Sequence, residues 1–205
     1  RRRLQIPLLV DDLLRRYKGG LPDIRKKRSG KPIIGFAGWA KLPLGGLFRT
    51  IVKELPLRFH GIFDSRYRAC TRGVWWRQKA IKVLQHSLLV EFHCRTRSSF
   101  SGTSKTAQGD MKKLQEEMVE TILQSDYALD VRGDANNSAR LFEILSLGRI
   151  PVIVDTERNL PFSNKIDYSS FSLIVDFRNL KKLPKLISEF HENVSPERFE
   201  QMQKN

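Results

Sequence analysis

Cysteine is scarce in this sequence: two residues in 205, Cys70 and Cys94. Two thiols allow one bridge at most, which excludes a disulfide framework, and no zinc-binding spacing is present. The simplest reading is two unpaired thiols. Long apolar runs are missing too. None approaches the ~18–20 residues of a membrane span, and no secretory leader pattern is visible. The chain opens at Arg1 without methionine. We expect a piece of a longer protein, so the missing anchor bears little on the parent. Neither GxGxxG nor GxxxxGK[ST] occurs, which disfavours the common dinucleotide and P-loop sites. No internal repeat is present.

What is abundant is positive charge. The 37 Lys and Arg outnumber the 22 Asp and Glu, for a net charge of +15. Such a balance attracts something anionic: nucleic acid, lipid headgroups, phosphates or acidic sugars. The excess is uneven, with eleven basic against three acidic residues in 1–31. The chain length suits one α/β domain with appendages. Hydrophobic residues, at 40%, suffice for a core.

Periodicity orders the chain. Asp11–Tyr17 reads as a short helix and 18–31 as a mobile basic loop. Pro32–Gly38 reads as a buried strand entering a turn. Leu47–Leu55 reads as a helix stopped by Pro56, and Leu57–Phe63 as a second strand. Helical spacing returns at Trp75–His86, then a strand at Leu88–Phe92 and an exposed Ser/Thr/Gly loop at Arg95–Gln108. Further on come a helix at Met111–Leu123, a strand at Tyr127–Val131, a helix at Ser138–Leu147 and strands at Ile150–Asp155 and Phe171–Phe177. Helices at Leu180–His191 and from Pro196 close the chain. This alternation predicts an α/β fold, a Rossmann-like parallel sheet with helices on both faces. We divide it into a basic arm or interdomain segment over 1–31, a Rossmann-like domain over 32–195, and a C-terminal helix over 196–205.

The segment from Asp126 to Asp155 carries the chemistry. It reads as strand, polar loop, helix, glycine stop, strand. Ligands of open α/β sheets collect beyond the carboxyl ends of strands, where the 132–137 loop falls. Gly133 and the asparagines let that backbone turn sharply. Ser138 is placed to cap the helix, whose free amides suit an anion. Arg140 offers a forked donor to phosphate, and Glu143 an acceptor for ribose hydroxyls. The alternative for Arg140 and Glu143 is a plain surface ion pair, worth under about 1 kcal/mol. Asn136 and Asn193 open N-x-Ser glycosylation patterns, and a glycan on Asn136 would crowd this loop.

Five submotifs in order resemble the exostosin family, glycosyltransferase family 47: Arg132-Gly133, Ser138-Ala-Arg140-Leu-Phe-Glu143, Gly148-Arg-Ile-Pro-Val152, Leu160-Pro-Phe162 and Ile166-Asp-Tyr168. Weaker echoes are Ile6-Pro7, Phe36-Ala-Gly38 and Thr71-Arg72. The chain departs from the pattern at Leu129, Val131 and Tyr168, where the family often has Cys, Pro and Trp. The resemblance implies the C-terminal, donor-binding half of a GT-B enzyme. It implies inverting transfer from a nucleotide diphosphate sugar, usually a UDP-sugar, to a glycan acceptor held by an N-terminal domain. No cofactor and no essential metal are expected, the nucleotide sugar being substrate. An anionic acceptor would account for the charge. The donor site is expected at Arg132, Gly133, Asn137, Ser138, Arg140 and Glu143, with Gly38 giving the phosphates close approach and Arg72 a second tier of charge. The catalytic base stays unassigned among His60, His86 and His93. The resemblance places such a protein in the Golgi lumen if eukaryotic and in the cytoplasm if bacterial. Rival readings are a basic nucleic-acid-binding domain and a non-catalytic sugar-nucleotide-binding remnant.

Overall fold

The computed structural model describes residues 10–21, 23–41, 44–98, 110–134 and 138–204. Within them lie five strands: β1 (Ile33–Trp39), β2 (Glu91–Arg97), β3 (Tyr127–Val131), β4 (Ile150–Asp155) and β5 (Leu173–Asp176). The helices are α1 (Leu13–Lys18), α2 (Leu44–Phe63), α3 (Ser65–Ala69), α4 (Gly73–Gln85), α5 (Met111–Leu123), α6 (Ala139–Ser146), α7 (Leu183–Asn193) and α8 (Pro196–Lys204).

All strand pairs are parallel, in the order β2-β1-β3-β4-β5. Parallel strands are covered on both faces, so β3 and β4 read as almost unbroken apolar runs. One face packs Trp76, Ala80 and Leu84 of α4, Leu183 and Ile187 of α7, and Phe199 and Met202 of α8. The other receives Leu13 of α1, Met118, Val119 and Ile122 of α5, and Ile144 of α6. Side chains such as Ile34, Leu129 and Phe199, at 0% exposure, each contribute about 1.5–3 kcal/mol by burial. This is the Rossmann-like arrangement that the alternation predicts.

Local signals set the boundaries. Asp110 caps α5 by accepting from the Lys112 amide at 2.9 Å, which satisfies a free donor of the first turn. After α6, Gly148 sits at φ +61, a left-handed turn that only glycine adopts without strain. Two expectations fail together. α2 runs through Pro56 to Phe63, so Pro56 stops nothing and Leu57–Phe63 is helix, not strand. Pro56 lies on the exposed side, where water can take up the carbonyl it leaves without a donor. The strand expected at Leu88–Phe92 starts at Glu91 and runs to Arg97, so residues 95–97 are strand rather than loop. Residues 99–108 of that loop lie outside the described residues.

The basic stretch after α1 is held down, contrary to the expected loose loop. Arg25 pairs with the buried Asp126 at 2.6 Å, whose other oxygen accepts from the Ile33 amide at 2.8 Å. Arg149, fully buried, donates to the Asp23 carbonyl at 2.6 Å. His191 donates from Nε2 to the Arg28 carbonyl at 3.0 Å, and its Nδ1 lies 3.0 Å from the Tyr127 hydroxyl, from which it accepts. Burial pushes the His191 ring below its ordinary 6.5. The unfolded chain therefore binds that proton first, and this contribution to stability is present above about pH 6.5 and lost as pH falls through the lower folded value. The thermal midpoint is expected to drop between pH 7.5 and 5.5, with a shallower slope in His191→Gln; equal slopes would remove His191 from the account.

Candidate donor site at the strand switch point

The chain reverses its direction of sheet building between β1 and β3, since β2 lies on one side of β1 and β3, β4 and β5 on the other. Crevices form at such points beyond the carboxyl ends of the strands. Here the parting is visible in the ladder. β1 pairs with β2 over seven residues, but with β3 only at Ile34–Tyr127 and Gly35–Ala128. Past that point two arginines, from opposite faces of the sheet, occupy the gap. Arg140 of α6 donates to the Ala37 carbonyl at 2.7 Å. Arg77 of α4 donates to the Trp39 carbonyl at 3.0 Å and to the Val131 carbonyl at 3.3 Å. Burial, with Arg140 beside it, lowers the Arg77 guanidinium to about 10. It stays cationic at neutral pH.

Gly38 stands next to Arg140. A Cβ on it would come 3.3 Å from the Arg140 Nη2, tight enough that the guanidinium would have to give way. Glu143, one turn along α6, pairs with Arg140 at 3.3 Å, and both side chains are mostly buried. The pair lies off the line of a hydrogen bond, because the buried Arg140 Nη1 makes none. So the ion-pair alternative holds in geometry, though not on an open surface.

Arg72 lies at the mouth. It pairs with Asp134, which raises its pKa, stacks over Trp39 at 5.5 Å and donates to the Thr50 hydroxyl at 3.2 Å. Gly73, the first residue of α4, packs onto the 132–133 backbone so closely that a Cβ would collide with the Arg132 and Gly133 carbonyl oxygens. Backbone cannot step aside as a side chain can. Gly73→Ala is therefore expected to cost at least about 2 kcal/mol in urea denaturation, and an unchanged midpoint would mean that this contact is loose.

Arg132 is tied into the loop. Its guanidinium donates to the carbonyls of Ala69 at 2.7 Å, Gly133 at 3.1 Å and Asp134 at 3.1 Å. Burial lowers its pKa. In this arrangement it folds the loop. The cap expected from Ser138 is corrected. Ser138 occupies the N-cap position without a side-chain cap bond, because its hydroxyl donates to Asp130 at 2.6 Å. Asp130 is fully buried in β3 and pairs with Arg158, itself 2% exposed. Asn137 lies outside the described residues. The structure thus brings Gly38, Arg140 and Glu143 together, sets Arg72 at the rim and turns Arg132 into the loop wall. Arg77, Asp130 and Arg158 were missed. An acid inside the apolar strand Tyr127–Val131 was the available signal for Asp130; nothing in the pattern singles out Arg77. Two of the candidate histidines lie elsewhere. His93 lies beside Glu91 at the opening of β2, and His86 caps the far end of α4.

A parallel five-stranded sheet with a switch point between β1 and β3 and helices on both faces defines a class, the Rossmann-like α/β domains. The particular family follows from comparison with known proteins. The Exostosin GT47 domain matches residues 69–190, more than half of the chain. This chain belongs to the exostosin GT47 family. The Exostosin-1 homolog of Caenorhabditis elegans is 34% identical over 68 residues, which is 33% of this chain and 18% of that relative. The match spans less than a fifth of the relative's length. Among the described residues no helix is long and apolar enough to cross a membrane.

Proposed function

We propose that this chain binds the nucleotide diphosphate of a sugar donor, a UDP-sugar, as the donor half of an inverting GT-B glycosyltransferase. Its family membership supports glycosyl transfer. The observation that carries the donor assignment is the parting of β1 from β3, filled by Arg140 and Arg77 and rimmed by Arg72.

The Arg140–Glu143 pair suggests how the site exchanges partners. A pyrophosphate entering beside Gly38 offers Arg140 a stronger acceptor than the off-line carboxylate, with forked geometry suited to phosphate oxygens. Glu143, released, becomes free to accept from ribose hydroxyls. Arg77 lies deeper and holds the two strand ends, while Arg132 and Asp134 shape the loop. When an acceptor hydroxyl attacks the sugar C1, the C1–O bond to the diphosphate breaks and UDP leaves with that electron pair. The arginines oppose the developing charge, so no metal is required in this scheme. The acceptor proton goes to a general base, and the acceptor glycan would rest on an N-terminal domain. Isothermal titration with UDP and GDP tests the reading: UDP should bind in the micromolar to millimolar range and GDP more weakly. Heat from neither would refute it.

A further inference from the structure

Helix α2 is built inside out. Its body-facing residues are polar: Thr50 and Glu54 are buried, and both contact Arg72, through the side chain at 3.2 Å and the backbone amide at 2.8 Å. Gly61 receives Arg68 of α3 on the same side, at 2.6 Å to its carbonyl. These contacts fix the helix rotation. They turn a continuous apolar stripe outward: Phe48 at 74% exposure, Val52, Leu55, Phe59 at 61%, Ile62 and Phe63 at 80%. At 100° per residue these side chains share one face. Three phenylalanines and three aliphatic residues left in water on one helix exceed the apolar patch that a soluble surface normally shows.

The charge around the stripe is of one sign. Arg49 and Lys53, both exposed, border it on one side; on the other, Arg58 is held by Glu54 at 3.4 Å and lies over the Trp75 ring at 5.1 Å. The neighbouring carboxylates are committed, Glu54 to the Arg72 amide at 2.8 Å and to Arg58 at 3.4 Å, and Asp64 to Arg66 at 2.7 Å. A protein interface usually carries a rim of both signs. A second copy would set these cations against their own kind. An apolar stripe bordered by Arg49 and Lys53, on a chain of net charge +15, matches an anionic bilayer surface instead. We infer that α2 docks flat onto a membrane surface rich in anionic phospholipid, with Phe48, Phe59 and Phe63 entering the acyl boundary and Arg49 and Lys53 at the headgroups. This inference is independent of the donor assignment.

Sedimentation of the full chain with vesicles of phosphatidylcholine containing roughly one-third phosphatidylserine, at about 150 mM salt, tests it. The chain should bind these vesicles and leave pure phosphatidylcholine largely alone. Combined Phe48→Ser, Phe59→Ser and Phe63→Ser should lower partitioning by at least roughly tenfold. A charge control, Lys181→Ser with Lys182→Ser, should lower it by less than roughly threefold. Because Phe63 is so exposed, Phe63→Asp alone serves as a variant that keeps the fold and should also weaken binding. Partitioning unchanged in the phenylalanine variants would overturn the proposal. So would a chain that ignores the vesicles and instead dimerises through this face by light scattering.

Discussion

Replacing Arg140 by alanine is expected to weaken UDP binding by about tenfold to a hundredfold, the worth of one charge-assisted bond to a phosphate. Arg140 reaches the crevice directly, with its Nη2 on the Ala37 carbonyl and its Nη1 near Glu143. It is not the only cation near the gap, since Arg77 and Arg72 remain, so binding should fall without vanishing. Arg140→Lys keeps the charge but not the fork and should fall between the two. Glu143→Ala separates the two halves of the ligand. Without its carboxylate Arg140 is free for phosphate, so inorganic pyrophosphate should bind more tightly. UDP loses its ribose acceptor, so the preference for UDP over pyrophosphate should shrink. A preference that stays constant would take Glu143 out of the ribose site.

The largest loss of stability is expected from Asp130→Ala, about 3–5 kcal/mol by urea denaturation. Arg158 is 2% exposed and Asp130 wholly buried, so deleting the carboxylate strands a buried guanidinium whose Nε already lacks a partner. The Ser138 hydroxyl at the start of α6 loses its acceptor as well. Solvent-exposed pairs behave differently. Arg72 and Asp134 are 36% and 42% exposed, and Asp134→Ala should cost under about 1 kcal/mol. Replacing both buried partners, Asp130→Leu with Arg158→Met, should recover much of the loss, because burying two charges is itself costly. If Asp130→Ala proves no worse than Asp134→Ala, the pair is far wetter than its burial indicates.

Legibility followed the physics of each segment. β3 and β4 were legible to the residue because strands buried on both faces leave an unbroken apolar signature. α5 was legible because Met118, Val119 and Ile122 recur on one face behind the Asp110 cap. α2 was not. Pro56 imitates a stop, and Leu57-Arg-Phe-His-Gly-Ile-Phe63 alternates in the period of a strand. Both signals presuppose that apolar residues face a core, and in α2 they face outward. The closeness of Arg140 and Glu143 was readable because one helical turn separates them, and Gly38 adjoins them from the end of β1. The three backbone carbonyls that hold Arg132 were not readable, because an arginine beside a glycine in a loop has the same sequence whatever it contacts. Arg77 was invisible because its role arises from contacts across 38 and 54 positions of chain.

Amide hydrogen exchange of the chain with and without saturating UDP addresses the donor assignment most directly. The nucleotide should slow exchange at the tip of β1 around Gly38, at the start of α4 and across residues 131–143, with the basic cleft formed by Lys27, Lys31, Leu88 and Glu192 at the opposite edge unaffected. Protection at that opposite cleft, with 131–143 exchanging as in the free protein, would contradict it.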